Sequence, residues 1–258
     1  MTPLDLDRAA TEFVAARTGA RLVGPLPADA TPATLDDAYR IQAETARRLG
    51  GYRGWKVGAL TAEQQAKAGV AAPTAARLIA AFVHDSPARL SIARLRTPKL
   101  EAELAFSLAR DLPPRAAPYS EEEVADAVAA MHPAIEVADT RLAPQPSLAM
   151  NLADAMANGA FIVGPAYGSW RAMDRGAVAV SLRVNGTLAA TGQGAVVLGD
   201  PLRAVVVFAN NPIPGGPGLR RGDIVTTGSL TGVTPVAAGD VAVAEFAAIG
   251  TVEVSFTP

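Results

Sequence analysis

The run "KLEAELAFSL", Lys99 to Leu108, narrows the possible folds more than any other stretch. A strand turns successive side chains to opposite faces. Leu100, Ala102, Leu104, Phe106 and Leu108 then share one apolar face, while Glu101, Glu103, Ala105 and Ser107 share the other. One face of an antiparallel sheet is often solvated, and two glutamates would suit it. Here only Lys99 offsets them, and the face continues into small residues. "PAIEVAD" repeats the pattern, with Ile135 and Val137 on one side and Glu136 and Ala138 on the other.

Short β-type runs continue from Leu90 to the C-terminus: "RLSIARL", "GAFIVG", "VAVSLRVNGTLAATG", "DIVTTGSL" and "TVEVSF". "VNG" at 184–186 is a hairpin signal. Two helices interrupt them. One spans Glu121–Met131 behind a Ser120/Glu123 capping box, and one spans Pro201–Ala209 with Asp200 as its cap. The N-terminal part reads as helical: residues 3–18 capped by Thr2, a second helix from Thr34 to about Leu49, a third over Ala62–Ala68 and a fourth over Pro73–Phe82. "GWKVG" is a short strand among them. The expectation is an α+β fold, a helical region over 1–85 followed by a β-rich body over 86–258, joined as one compact unit.

The chain has 258 residues, half of them hydrophobic, enough for a sizeable core. A net charge of -2 without a basic stripe argues against nucleic acid as a partner. The absence of cysteine excludes disulfides and thiolate metal sites. "MTPLDLDRAATEF" is not a secretory signal, and no window of 18 apolar residues suggests a membrane helix. A cytoplasmic protein is expected.

Three carboxylates brought together repel unless a cation lies between them. Oxygen ligands suit a hard ion, Mg²⁺ or Mn²⁺. With only His84 and His132, a histidine-rich zinc site is poorly supplied. His84 is expected in a loop, and His132, before Pro133, as a capping or packing residue. On spacing alone, a solvated acidic face and a cation site both remain open. Lys56 sits between Trp55 and Val57, on the opposite face of its short strand.

"GWKVG" (54–58), "KLEAELAFSLARDLP" (99–113), "HPAIEVADTRL" (132–142), "GQGAVVLGDPL" (192–202) and "GDIVTTGSLTGVTPVAAGD" (222–240) together resemble the fumarylacetoacetate hydrolase superfamily, in its 2-keto-4-pentenoate hydratase and 4-oxalocrotonate decarboxylase branch. The resemblance runs from about residue 35 to the C-terminus. It implies a mixed β-roll preceded by helices, in a homo-oligomer. It implies that Glu101, Glu103 and Glu136 hold Mg²⁺ or Mn²⁺, which chelates the carboxylate and 2-oxo oxygens of a small-molecule substrate. Lys56 matches a catalytic lysine beside that oxyanion. Gly228, Ser229, Leu230 and Thr231 match a substrate-binding loop, and Asp154 is kept with them.

The reaction implied is a hydratase-type lyase step on 2-oxo or 2-hydroxydienoic acids through a metal-stabilised enolate. The same platform serves a decarboxylase, an isomerase or a cyclase. A non-catalytic partner subunit is the reading from another class. No N-terminal histidine is placed to activate water for C–C bond hydrolysis. The chain departs from its relatives around the expected pocket. "KVGAL" replaces "KVGLT", and the segment 76–81 lacks the relatives' glycine and acid, Asp85 being the nearest acid. Ala155 and Ala157 replace Asn and Ser, and Asp200 replaces His. These losses of polar groups point to a larger or less polar substrate.

Overall fold

A computed structural model describes residues 1–258. Helices α1 (Pro3–Thr18) and α2 (Leu35–Arg48) open the chain, each behind a threonine capping box. Thr2 accepts from the Asp5 N–H and Thr34 from the Asp37 N–H, and each aspartate answers its cap's N–H. Then follow β1 (Tyr52–Gly58), α3 (Ala62–Ala68), β2 (Thr74–Ile79), β3 (Val83–Asp85), β4 (Ala88–Ser91) and β5 (Lys99–Leu108). The middle holds α4 (Glu121–Ala127), β6 (Val128–Ala138), α5 (Leu148–Ala153), β7 (Asn158–Val163), β8 (Ala179–Val184) and β9 (Thr187–Gln193). Last come α6 (Leu202–Asn210), β10 (Ile224–Ser229), β11 (Thr234–Pro235), β12 (Val241–Phe246) and β13 (Gly250–Thr257).

The strands form two sheets. The larger runs β2-β1-β10-β5-β6-β7-β3, with β11 also on β5, and the smaller runs β4-β13-β12-β8-β9. Both are mixed: β1 pairs with β10 and β3 with β7 in parallel, whereas β5 pairs with β6 antiparallel. The main core lies between the sheets. Leu100, Leu104, Phe106, Ile135 and Val137 come from the larger sheet, and Leu182, Ala244, Val252, Val254 and Phe256 from the smaller, all at most 2% exposed. This is the curled, mixed-sheet α+β architecture expected from the sequence.

Residues 1–85 are not all helical, since β1, β2 and β3 belong to the larger sheet. The segment expected as a helix over Pro73–Phe82 is β2 and a single 3₁₀ turn. Every residue of β2 is buried, so "TAARLI" has no polar face, and a short apolar run of this kind does not reveal its period. Arg77 is tolerated there because its guanidinium lies 4.9 Å from the Trp55 ring centre. The helix expected to reach Met131 stops at Ala127, because Val128–Met131 is already paired with β5. His84 lies in β3 rather than a loop. His132 packs within β6, its Nε2 3.0 Å from Ser107 Oγ and its Nδ1 3.1 Å from the Gly164 carbonyl. The hairpin at Asn185-Gly186 forms as expected, both residues at positive φ. No helix is long and apolar enough to cross a membrane.

Candidate functional site

The alternation in β5 and β6 decides where the glutamates point. Glu101 pairs directly with Glu136 across the ladder, and Glu103 pairs with Ala134. Paired residues share a face, so all three carboxylates emerge on the side away from the main core. One carboxylate oxygen from each lies within 4.8 Å of the others. Glu103 is 1% exposed and Glu136 0%, while Glu101 is half-buried.

Each buried glutamate is held from its neighbours. Glu103 accepts from the Thr226 hydroxyl and from the Gly228 N–H at 3.1 Å. The second bond exists because β10 bulges after Thr226 and Gly228 takes φ 111°, a conformation that favours glycine. Glu136 Oε1 accepts from Lys56 Nζ at 2.7 Å and Asn158 Nδ2 at 3.2 Å. Lys56 reaches this point because β1 lies beside β10, with Trp55 turned into the core and bonded to Asp223 at 3.0 Å. The Met156 carbonyl takes a second proton of Lys56 at 3.2 Å. Glu136 Oε2 is buried with no hydrogen-bond partner.

The charges feel one another. Burial pushes the Glu103 carboxyl up to about 8, with Glu136 and Glu101 adding to it. Burial and then Glu136 raise Glu101. Burial opposes the Lys56 charge, but Glu136 and Glu101 outweigh it, so its pKa is raised and it stays an ammonium at neutral pH. Three carboxylates against one ammonium, 3 − 1, leave an excess of two negative charges when all are ionised. A dication matches that excess, and hard oxygen donors suit it.

The loop behind Lys56 has an unusual backbone. Ala155, Met156 and Ala157 are consecutive non-glycine residues at φ 54°, 53° and 60°. Each such residue costs about 1–2 kcal/mol. Two buried arginines hold the turn from behind. Arg17 of α1 donates to the carbonyls of Asn158 (2.8 Å) and Asp154 (3.2 Å). Arg141 donates to the same two carbonyls at 2.9 and 3.1 Å.

Not every expected residue joins the site. Asp154 is a correction: its carboxylate accepts from Arg141 N and Nε at 2.9 and 2.7 Å and is 1% exposed, so it is spent on the turn rather than on substrate. Leu230 is a second correction, because its side chain is in the main core. Thr231 accepts from the Ala102 N–H and splints β5. Gly228 and Ser229 do line a cavity of about 420 Å³, with Ala59, Leu60, Val196 and Leu198. Asp200 forms an ion pair with Arg175 (Nε–Oδ1 3.0 Å) and accepts the Leu202 N–H at the start of α6, whose N-cap is Pro201 rather than the expected Asp200. Asp85 lies on the edge strand β3, three strands from β5. Asn158, Arg17 and Arg141 were not expected. Only the asparagine inside "ANG", flanked by small residues, hinted that a side-chain donor was needed there.

Fold and site together define a β-roll protein with a buried acidic centre. A family model described as "Fumarylacetoacetate (FAA) hydrolase C-terminal" matches residues 61–257, and the chain belongs to that family. It is 31% identical over 261 residues to a 2-keto-4-pentenoate hydratase of Paraburkholderia xenovorans, covering 99% of this chain and 96% of that one. It is 29% identical over 245 residues to a 2-hydroxyhexa-2,4-dienoate hydratase of Comamonas testosteroni, covering 92% of each. Among solved structures, 4-oxalocrotonate decarboxylase of Pseudomonas putida G7, complexed with magnesium and adipate, superposes with a TM-score of 0.88 at 27% identity over 99% of this chain and 98% of that one.

Proposed function

We propose that this chain is a divalent-metal-dependent lyase of the hydratase type, acting on a small 2-hydroxydienoic (2-oxo) acid. The orphaned Glu136 Oε2 carries the reading: a buried carboxylate oxygen without a donor, among two further carboxylates, fits a cation. Glu101, Glu103 and Glu136 would hold it, as Mg²⁺ or Mn²⁺. When bound, such an ion supplies Lewis-acid charge where a 2-oxo acid develops negative charge.

The remaining work falls to the chain's own groups. Lys56 is held as an ammonium by Glu136 and Met156, so it acts as a fixed positive charge and hydrogen-bond donor to the substrate oxyanion, not as a base. Thr226 and the Gly228 N–H fix the carboxylate of Glu103, and Asn158 fixes that of Glu136. The apolar walls from Ala59, Leu60, Val196 and Leu198 orient the diene and limit bulk water around it.

Hydration is favoured over decarboxylation by one feature. The cavity beside the site meets it at Gly228, though none of the glutamates nor Lys56 lines it, and it has no lysine, arginine or histidine to pair with the distal carboxylate of a diacid. An apolar distal end fits it better. A homo-oligomer and a single functional unit formed by the 1–85 and 86–258 regions belong to the same proposal.

Calorimetric titration with Mg²⁺, with and without oxalate as a 2-oxo-carboxylate mimic, tests it. Oxalate should bind only with metal present, and Glu103→Gln should abolish both. Failure of metal to bind the wild-type chain would sink the reading. Turnover of 2-hydroxypenta-2,4-dienoate against 4-oxalocrotonate then separates hydration from decarboxylation.

A further inference from the structure

A second cavity, of about 250 Å³, lies on the other side of the larger sheet. Ala160 lines it and pairs with Val137, whereas Glu136 pairs with Phe161. Adjacent residues of a strand face opposite ways, so this cavity and the glutamates are separated by the sheet. Its walls come from the end of α1, the turn after β2, β3, β4 and the turn that follows it, the segment after β6, and β7.

Its lining is basic. Arg17, Arg89, Arg94 and Arg141 converge on it with His84, and Asp139 is its only carboxylate. That carboxylate is already engaged: Oδ1 accepts the N–H groups of Arg96 and Thr97, and Oδ2 lies 3.8 Å from Arg141. Arg141 is paired with Asp154 at 2.7 Å. The other three guanidiniums have no carboxylate partner. Arg17 is 5% exposed and bonds only to carbonyl oxygens. Arg89 and Arg94 are exposed at the rim and make no hydrogen bond or ion pair.

The Arg17 guanidinium faces two carbonyl dipoles and, at 5.6 Å, the Phe82 ring, and a buried cation with no carboxylate in contact is undercompensated. Burial and then the neighbouring Arg141 charge lower the Arg17 pKa to about 9. An anion in the cavity would relieve both effects. Two planar forks at the rim and one at the floor match a ligand with several oxygens carrying two charges. The volume lies below that of drug-sized pockets, which excludes a nucleotide and admits a small ion.

We propose that this cavity binds a small dianion, a phosphate group or a short dicarboxylate, between Arg17 at its floor and Arg89 and Arg94 at its rim. Because Arg17 and Arg141 also hold the left-handed turn behind Lys56, occupancy would stiffen that turn. This last consequence rests on the function proposed above, but the binding itself does not.

The test is calorimetry on the intact, metal-free protein at about 0.15 M chloride, where exposed charges are largely screened. Inorganic phosphate and succinate are titrated separately. Saturable binding with a Kd of about 1 mM or tighter is expected. It should weaken at least tenfold in the Arg89→Gln/Arg94→Gln double variant and by a smaller factor in Arg94→Gln alone. It should be unchanged in Glu103→Gln. Tighter phosphate binding assigns the ligand to phosphate compounds, and tighter succinate binding to diacids. The proposal is overturned if neither anion binds saturably, or if the double variant binds as wild type does. Loss in Glu103→Gln alone would also overturn it, by placing the anion at the glutamates. A change of sedimenting mass in the double variant, without anion binding to wild type, would assign the cavity to an acidic group of a second copy and overturn the small-ligand reading.

Discussion

Two buried ionic clusters flank β6, and they are finished differently. Around Asp154, the carboxylate and the carbonyls of the strained turn are all bonded: Arg141 clasps the carboxylate, and Arg141 and Arg17 hold the carbonyls on either side of the turn. Around Glu136, the count falls short, with one oxygen lacking any donor and three carboxylates sharing one lysine. A satisfied buried network secures a structure, whereas an unsatisfied one stores a requirement for a ligand. The first cluster should therefore answer to mutation in stability and the second in activity.

The sharpest way to break that contrast is Glu103→Gln. Turnover should fall by more than ~100-fold, since loss of a mere supporting partner already costs 10- to 100-fold at metal sites. The metal-free melting temperature should hold or rise, because glutamine never ionises in the buried site, whereas Glu103 is driven toward its costly charged form as pH rises. A fall in stability with activity intact would reverse the assignment. Next in size is Arg141→Met. It strands the Asp154 carboxylate and should destabilise by about 3–5 kcal/mol, lowering the melting temperature by roughly 10 °C in thermal denaturation.

Asn158→Ala should have a smaller effect than either. It leaves the fold in place and costs about tenfold in kcat/KM, as expected for a group that aims a ligand rather than being one.

The pH dependence has a definite sign. Folded Glu103 keeps its proton up to about 8, while in the unfolded chain it loses it near 4.5. Between those values the folded state binds more protons, so metal-free stability should fall as pH rises from about 4.5 to about 8 and then level off. Saturating Mg²⁺ should flatten the curve, because the bound form needs Glu103 ionised. Melting curves at pH 5, 6.5 and 8, with and without metal, read this directly. The smallest effect expected is Arg175→Gln. It removes the charge of a partly buried partner of Asp200 but keeps a neutral donor and the Asp200 bond to the Leu202 N–H, and should cost about 1 kcal/mol.

How far the sequence could be read follows the same division. Period-two patterning exposed β5 and the Glu136 segment, because a strand with one apolar face signals its own orientation. The cap residues Thr2 and Thr34 and the Ser120/Glu123 capping box marked α1, α2 and α4 at their starts. β2 was misread because it is buried on both sides and rich in alanine, and the end of α4 because nothing local marks where β5 captures the chain. The three glutamates and Lys56 are picked out by the family resemblance, since spacing alone left a solvated acidic face open. Arg17 and Arg141 are not, since their role is to grip main-chain carbonyls, and carbonyls leave no mark in a sequence. Asp154 was assigned to the substrate for the same reason: its partner is known only once the chain has closed.

The placement of β1 also bears on how the molecule assembles. Trp55 finds Asp223 across 168 residues, and Gly228 reaches Glu103 across 125. On a growing chain, the glutamates of β5 and β6 emerge long before the segment that clasps Glu103 and carries β1 into the sheet. Pairings of such long range slow folding and leave intermediates exposed. The glutamate-bearing face is thus the last part of the larger sheet to be completed on a growing chain, and refolding rates should respond to changes in β10 more than to equal changes in the helices at the N-terminus.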